Sequence, residues 1–172
     1  TQIIENVNKI FYYYHKYGAS DYIGEPVTQI EHMTQGAMFA EQDGKRPEIV
    51  IAMFLHDIGH LLVEDNPDMM GELGVKNHET LGRRFLEEIG IPEPIPELVE
   101  NHVKVKKYLV AVNPSYYNKL SEASKKTLEY QGGRMNDMEV KEFLKNPLFE
   151  DSLLVRSYDE KSKVKGMKIK SL

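Results

Sequence analysis

His56, Asp57 and His60 interrupt the most apolar stretch of the chain, PEIVIAMFLHDIGHLLV over residues 47–63. An unpaired carboxylate buried in such a stretch costs several kcal/mol of desolvation, so Asp57 requires a cation or a hydrogen-bonded partner. Read as one continuous buried helix, the stretch places His56 and His60 one turn apart on one face, with Asp57 beside them. Imidazole nitrogen and carboxylate oxygen together suit a divalent or trivalent cation, and the two oxygens of Asp57 can bridge two cations. The plainer alternative is a buried His56–Asp57 pair that only specifies packing. Against it stand His32, His78 and His102, each on a different predicted helix, with Asp159 in the last helix closing the order; of six histidines only His15 falls outside. Six ligands shared by two metals leave open positions for a substrate or oxygen.

Further polar residues sit at spacings that share a face. Lys106 follows His102 by four residues and points to the same side of its helix. Ser124, Thr127 and Gln131 are three and four apart, so one helix face presents three polar groups. Arg156 precedes Asp159 by three; it is either a fork-shaped cation beside a metal ligand or half of a surface ion pair. Tyr22 and Glu25 lie in a loop, where the simplest readings are a turn residue and a carboxylate complementing a helix N-terminus.

The elements that must position these groups follow from apolar periodicity. Ile3, Ile4, Val7, Ile10, Phe11 and Tyr14 predict a helix over residues 2–17, with Gly18 as a left-handed stop. A second helix is expected from Pro26 to Gln42 and the apolar one from Pro47 to Val63. A loop over 64–76 precedes a helix capped by Asn77 and closed by Gly90. Pro96 opens a helix that Asn113-Pro114 stops. Residues 119–131 read as one helix, Asn136 and Glu139 as a capping box, and Pro147 to about Lys161 as the last helix. The fold class is all-α, with six to eight helices in one domain.

Composition narrows the chemistry. The 172 residues suffice for one domain and one active site. With no Cys, disulfides, thiolate metal sites and thiol nucleophiles are excluded. No apolar run reaches a membrane-spanning length and no secretion signal opens the chain, so a cytoplasmic location and no membrane partner are expected. Residues 161–172 carry five Lys and no acid, leaving 17 basic against 27 acidic side chains in residues 1–160; this balance argues against nucleic acid. The Lys-rich tail reads as a frayed, solvated end after a domain spanning 1–160. A monomer is compatible with the sequence.

The set His32, His56-Asp57, His78, His102 and Asp159 resembles the HD-domain superfamily of metal-dependent enzymes, named for that doublet. The resemblance covers most of the chain; most of the superfamily are phosphohydrolases, but the likeness is strongest to members of its smaller di-iron oxygenase branch, distantly related to myo-inositol oxygenase, that cleave carbon–phosphorus bonds. It is carried by DYIGEPVTQIEH ending at His32, LHDIGH from Leu55, GVKNHE ending at Glu79, HVKVKKYLV from His102, LSEASKKTLEYQGG from Leu120 and RSYDEK from Arg156. It implies a compact helical bundle with the metal site at its centre. It implies two irons (Fe2+/Fe3+), one held by His32, His56 and Asp159, the other by His78 and His102, with Asp57 bridging and O2 as co-substrate. It implies a phosphonate pocket of His60, Lys106, Ser124, Thr127, Gln131 and Arg156. Tyr22 would occupy a metal position until substrate arrives, and Glu25 would receive a substrate amine. The implied reaction is oxidative cleavage of a 1-hydroxy-2-aminoalkylphosphonate, 2-amino-1-hydroxyethylphosphonate, to glycine and phosphate. A quaternary amine would call for an aromatic cage, which Tyr22, Tyr116 or Tyr117 could supply; Glu25 favours the primary amine. Two rivals remain: an HD phosphohydrolase acting on a nucleotide or small phosphate ester with the same ligands, and a catalytically silent metal-binding module.

Overall fold

The computed structural model describes residues 1–172 as nine α-helices with no sheet. They are α1 (Gln2–Tyr17), α2 (Gln29–Gln42), α3 (Pro47–Leu55), α4 (His78–Glu88), α5 (Ile95–Val112), α6 (Pro114–Lys119), α7 (Glu122–Tyr130), α8 (Asp137–Leu144) and α9 (Phe149–Lys161). The core gathers Tyr14, Met33, Met53, Ile58, Leu61, Leu86, Leu98 and Val155, all essentially inaccessible to solvent. Burying each large aliphatic side chain contributes about 1.5–3 kcal/mol. Helix α3 packs on α2, α5 and α9, so the most apolar helix lies at the centre and its C-terminal end opens on the middle of the molecule. No helix is long and apolar enough to cross a membrane.

Several boundaries differ from the sequence reading. The helix expected over 47–63 stops at Leu55; Asp57 leaves helical geometry (φ −107°, ψ 14°) and a 3-10 turn, Ile58–Leu61, follows. The break is held by contact: a Cβ on Gly59 would lie 1.8 Å from the carbonyl oxygen of His78, so only glycine lets this turn rest on the start of α4. His60 is therefore not stacked on His56 along one helix. Its ring lies parallel to that of His78 instead, with centroids 3.8 Å apart.

Helix α2 starts at Gln29 rather than near Pro26, because Thr28 and Glu31 form a reciprocal capping box. Gly18 keeps right-handed geometry (φ −62°) and does not act as a left-handed stop. Asn77 precedes α4 in the left-handed region and its side chain makes no cap. The helix expected over 119–131 is α7, which starts only at Glu122, with the Ser121 hydroxyl accepting from the Ser124 N–H as its N-cap; the short α6 before it, opened by Pro114, was not expected. The box at Asn136 and Glu139 forms as expected. The chain after α9 is not frayed at its start. Ser162 is buried, and Gln35 exchanges two hydrogen bonds with the backbone of Val164.

Candidate metal centre and adjoining cavity

Five elements each deliver one part of the centre: α2 His32, the end of α3 His56 and Asp57, the first residue of α4 His78, α5 His102, and α9 Asp159. All six side chains are buried. Backbone carbonyls orient three of the four imidazoles, since the Nδ1–H of His32, His56 and His102 donates to Ser162, Met53 and Val99 respectively. A carbonyl can only accept, so these rings carry a proton on Nδ1 and turn Nε2 inward, where it can take a cation or a second proton. No residue type announces these carbonyls, because every position carries one.

The inward atoms crowd together. His32 Nε2 and His56 Nε2 are 3.0 Å apart, and Asp159 Oδ1 lies 2.8 and 3.1 Å from them. His78 Nε2 and His102 Nε2 are 3.1 Å apart. Asp57 divides itself between the two groups: Oδ2 is 3.1 and 3.3 Å from His32 and His56, while Oδ1 is 3.1 and 3.2 Å from His78 and His102. Two lone pairs at such distances repel unless a positive charge lies between them. Donor atoms about 3 Å apart are also the cis edge of a coordination sphere with bonds of about 2.1 Å. The buried Asp57 Oδ2 has no hydrogen-bond partner, which a cation would provide. The donor set therefore fits two cations, each able to take an oxygen of Asp57.

The electrostatics agree. Burial alone would raise the pKa of Asp57, yet the imidazoles of His56, His102 and His32 hold it well below the ordinary carboxylate range. Asp159 is also held well below that range, against its burial, first by Arg156 and then by His56. Burial opposes a charge on His56, but Asp57 and Asp159 lift its pKa to about 10. Without metal the carboxylates hold protons on imidazoles; a bound cation would replace them.

Beside this cluster lies a cavity of about 40 Å³. Its wall includes Asp57, His78, His102 and Asp159 from the cluster and all of Tyr22, Glu25, His60, Lys106, Ser124, Thr127, Gln131 and Arg156. His32 and His56 stand behind the wall, and neither Tyr116 nor Tyr117 reaches it. Lys106 is buried, and its ammonium donates to Thr127 Oγ1 at 2.9 Å and to the Ser124 carbonyl at 3.3 Å. Burial and then Arg156 push its pKa well below the usual lysine range. The Arg156–Asp159 pair exists (2.8 Å) but is buried rather than superficial; Asp159 gives Oδ2 to Arg156 and Oδ1 to the histidines. His60 Nδ1 accepts from the Val75 N–H, which requires a neutral ring, and burial followed by His78 keeps its pKa well below 6.5. The ring of Tyr22 lies 4.4 Å from that of His32, and burial, Asp57 and Asp159 keep its hydroxyl protonated. Glu25 Oε1 accepts from Ser121 (2.6 Å) and from Lys163 (3.1 Å), neither of which was expected at the site.

Comparison with known proteins meets this geometry at its centre. The HD domain family profile matches residues 29–137, a span containing His32, the His56-Asp57 doublet, His78 and His102. The chain belongs to the HD-domain family. Among its relatives, [1-hydroxy-2-(trimethylamino)ethyl]phosphonate dioxygenase (glycine-betaine-forming) of Leisingera caerulea is 44% identical over 161 residues, 94% of this chain and 80% of the relative. Hydroxymethylphosphonate dioxygenase of Gimesia maris is 38% identical over 169 residues, 98% of this chain and 83% of the relative. An uncharacterised protein of Acanthamoeba polyphaga mimivirus is 49% identical over 172 residues, 99% of this chain and 78% of the relative. Four of the six buried His and Asp side chains thus border the same cavity as the buried Lys106 and Arg156, and two of the relatives are named as phosphonate dioxygenases.

Proposed function

We propose that this HD-domain protein is a dioxygenase that cleaves the carbon–phosphorus bond of a small 1-hydroxyphosphonate. The observation that carries the reading is a single cavity bordered both by the doubly facing carboxylate of Asp57 and by the buried cations Lys106 and Arg156. His32, His56 and Asp159 would hold one iron, His78 and His102 the other, and Asp57 both. When bound, two such ions supply the redox chemistry that activates O2.

The side chains supply binding and orientation. Lys106 and Arg156 take the phosphonate as charge-assisted donors, and the incoming anion compensates the lysine that burial disfavours. Ser124, Thr127 and Gln131, with His60 beside them, complete the hydrogen-bonding wall around the tetrahedral group. Tyr22 covers the His32 side of the centre until substrate enters. The balance closes without an outside reductant: R–CH(OH)–PO3 and O2 give R–COOH and phosphate. One oxygen atom enters the organic acid and the other the phosphate, and the carbinol carbon supplies the electrons. With an aminomethyl group as R, the substrate is 2-amino-1-hydroxyethylphosphonate and the product glycine, the amine lying towards Glu25. Of the three tyrosines that could cage a quaternary amine, only Tyr22 lines the cavity, so among amine-bearing substrates a primary amine fits better than a quaternary one.

A phosphohydrolase of the same family would use the same ligands. The relatives named as phosphonate dioxygenases favour the oxygenase over it. The iron-loaded protein is expected to consume O2 and release phosphate in equal amounts from 2-amino-1-hydroxyethylphosphonate or hydroxymethylphosphonate. Phosphate release without O2 uptake establishes the hydrolase instead.

A further inference from the structure

Glu25 is the cavity carboxylate outside the metal cluster, and its charge is already answered from within the chain. Lys163 places its ammonium 3.1 Å from Glu25 Oε1 and 5.7 Å from the centre of the Tyr22 ring. Carboxylate and aromatic face are the two chemistries that recognise a substrate ammonium. The pair is largely withdrawn from solvent, the side chains being 19% and 9% exposed. Its backbone is fixed on both sides: the Ser162 carbonyl accepts from His32, and the Val164 N–H donates to Gln35. Lys163 is thus delivered to Glu25 by an anchored segment, whereas Lys165, two residues on, is exposed and makes no ion pair.

We infer that Lys163 is a specificity-determining residue, an internal ammonium that neutralises Glu25 and removes most of the advantage an amine-bearing phosphonate would gain there. The inference rests on the phosphonate reading of the cavity. A substrate ammonium reaching Glu25 meets a carboxylate whose charge is compensated, so it must displace Lys163 or accept a weakened attraction. A phosphonate without an amine leaves the pair intact. Lys163 accordingly shifts the protein towards amine-free 1-hydroxyphosphonates, and its removal shifts it towards 2-amino ones.

The test uses the metal-loaded full chain and two ligands that lack the reactive hydroxyl, 2-aminoethylphosphonate and ethylphosphonate, with affinity measured by calorimetry. Wild-type protein is expected to bind them within a few-fold of each other. Lys163→Met should tighten 2-aminoethylphosphonate roughly tenfold, the scale of a partly buried ion pair released to a new partner, and leave ethylphosphonate unchanged. Lys163→Arg should restore the wild-type ratio. An unchanged ratio in Lys163→Met overturns the role of Lys163 while leaving the phosphonate site standing. Equal weakening of both ligands also overturns it, by placing Lys163 among the anion-binding groups. Failure of ethylphosphonate to bind either protein overturns the phosphonate reading and this inference with it.

Discussion

Asp57 faces both halves of the cluster, and no other side chain does. If its two oxygens serve two cations, Asp57→Ala removes a ligand from each and leaves the inward Nε2 atoms of four histidines without their shared carboxylate. Metal analysis is expected to find two ions per chain in the wild type and less than half an ion in the variant; two retained ions would sink the bridging role. A second prediction concerns acid. His60 and His102 have folded pKa values lowered by burial, so their contribution to stability is present above about pH 6.5 and lost as pH falls below it. Asp57 and Asp159 are lowered carboxylates, whose contribution is lost further down, below the ordinary carboxylate pKa of about 4. His32 and His56 are raised and keep their contribution throughout that range. The metal-free protein should therefore show a Tm that declines from pH 6.5 to 4, and a flat profile refutes the assignment. The side chains that meet here were legible because histidines and aspartates in apolar helices need compensation, and because three- and four-residue spacings fix which groups share a face. The carbonyls of Met53, Val99 and Ser162, which aim the rings, were not legible, because any residue type can provide them.

At the scale of elements, composition settled the helices and local geometry settled their ends. The run over 47–63 is apolar nearly throughout, so periodicity could not show the stop after Leu55; the stop comes from the meeting of the 3-10 turn with α4, a contact between chain segments about 20 residues apart. That break makes His56-Asp57 the end of a buried helix rather than its middle, and sends His60 across to His78. The helix expected from 119 starts at Glu122 because the Ser121 hydroxyl caps it there, and the same hydroxyl donates to Glu25. Gly59 is where this scale is most exposed to mutation. In Gly59→Ala the methyl carbon meets the backbone of His78, which cannot rotate away as a side chain could. The turn and α4 must separate, and the imidazole of His78 moves with its helix. A loss of about 3 kcal/mol or more is expected in denaturant unfolding, together with weaker binding of the second metal; a stability loss below about 1 kcal/mol would mean the contact relaxes easily.

Across the whole molecule, the centre draws on residues from His32 to Ser162, so it exists only when the chain has closed on itself. Local pattern carries no information about such closure, and the Lys-rich stretch after α9 illustrates the consequence. By composition it is a solvated end; in the structure its first three residues seal the back of the cluster, through Ser162 on His32, Lys163 on Glu25 and Val164 on Gln35. Its far end is also tied, by Lys170 to Glu41 on α2. Two metal positions built from these residues would depend on this segment unequally. His32, His56 and Asp159 form the half whose first ring is oriented by Ser162, whereas His102 takes its orientation from Val99 and His78 from its place at the start of α4. Ending the chain after Lys161 should leave the helices in place, release the His32 ring and lower metal content from two ions per chain towards one. Far-ultraviolet circular dichroism alongside metal analysis reads both. Retention of two ions at wild-type affinity would show that α2 and α9 hold His32 unaided. Loss of both would show that the halves bind as a single unit through Asp57.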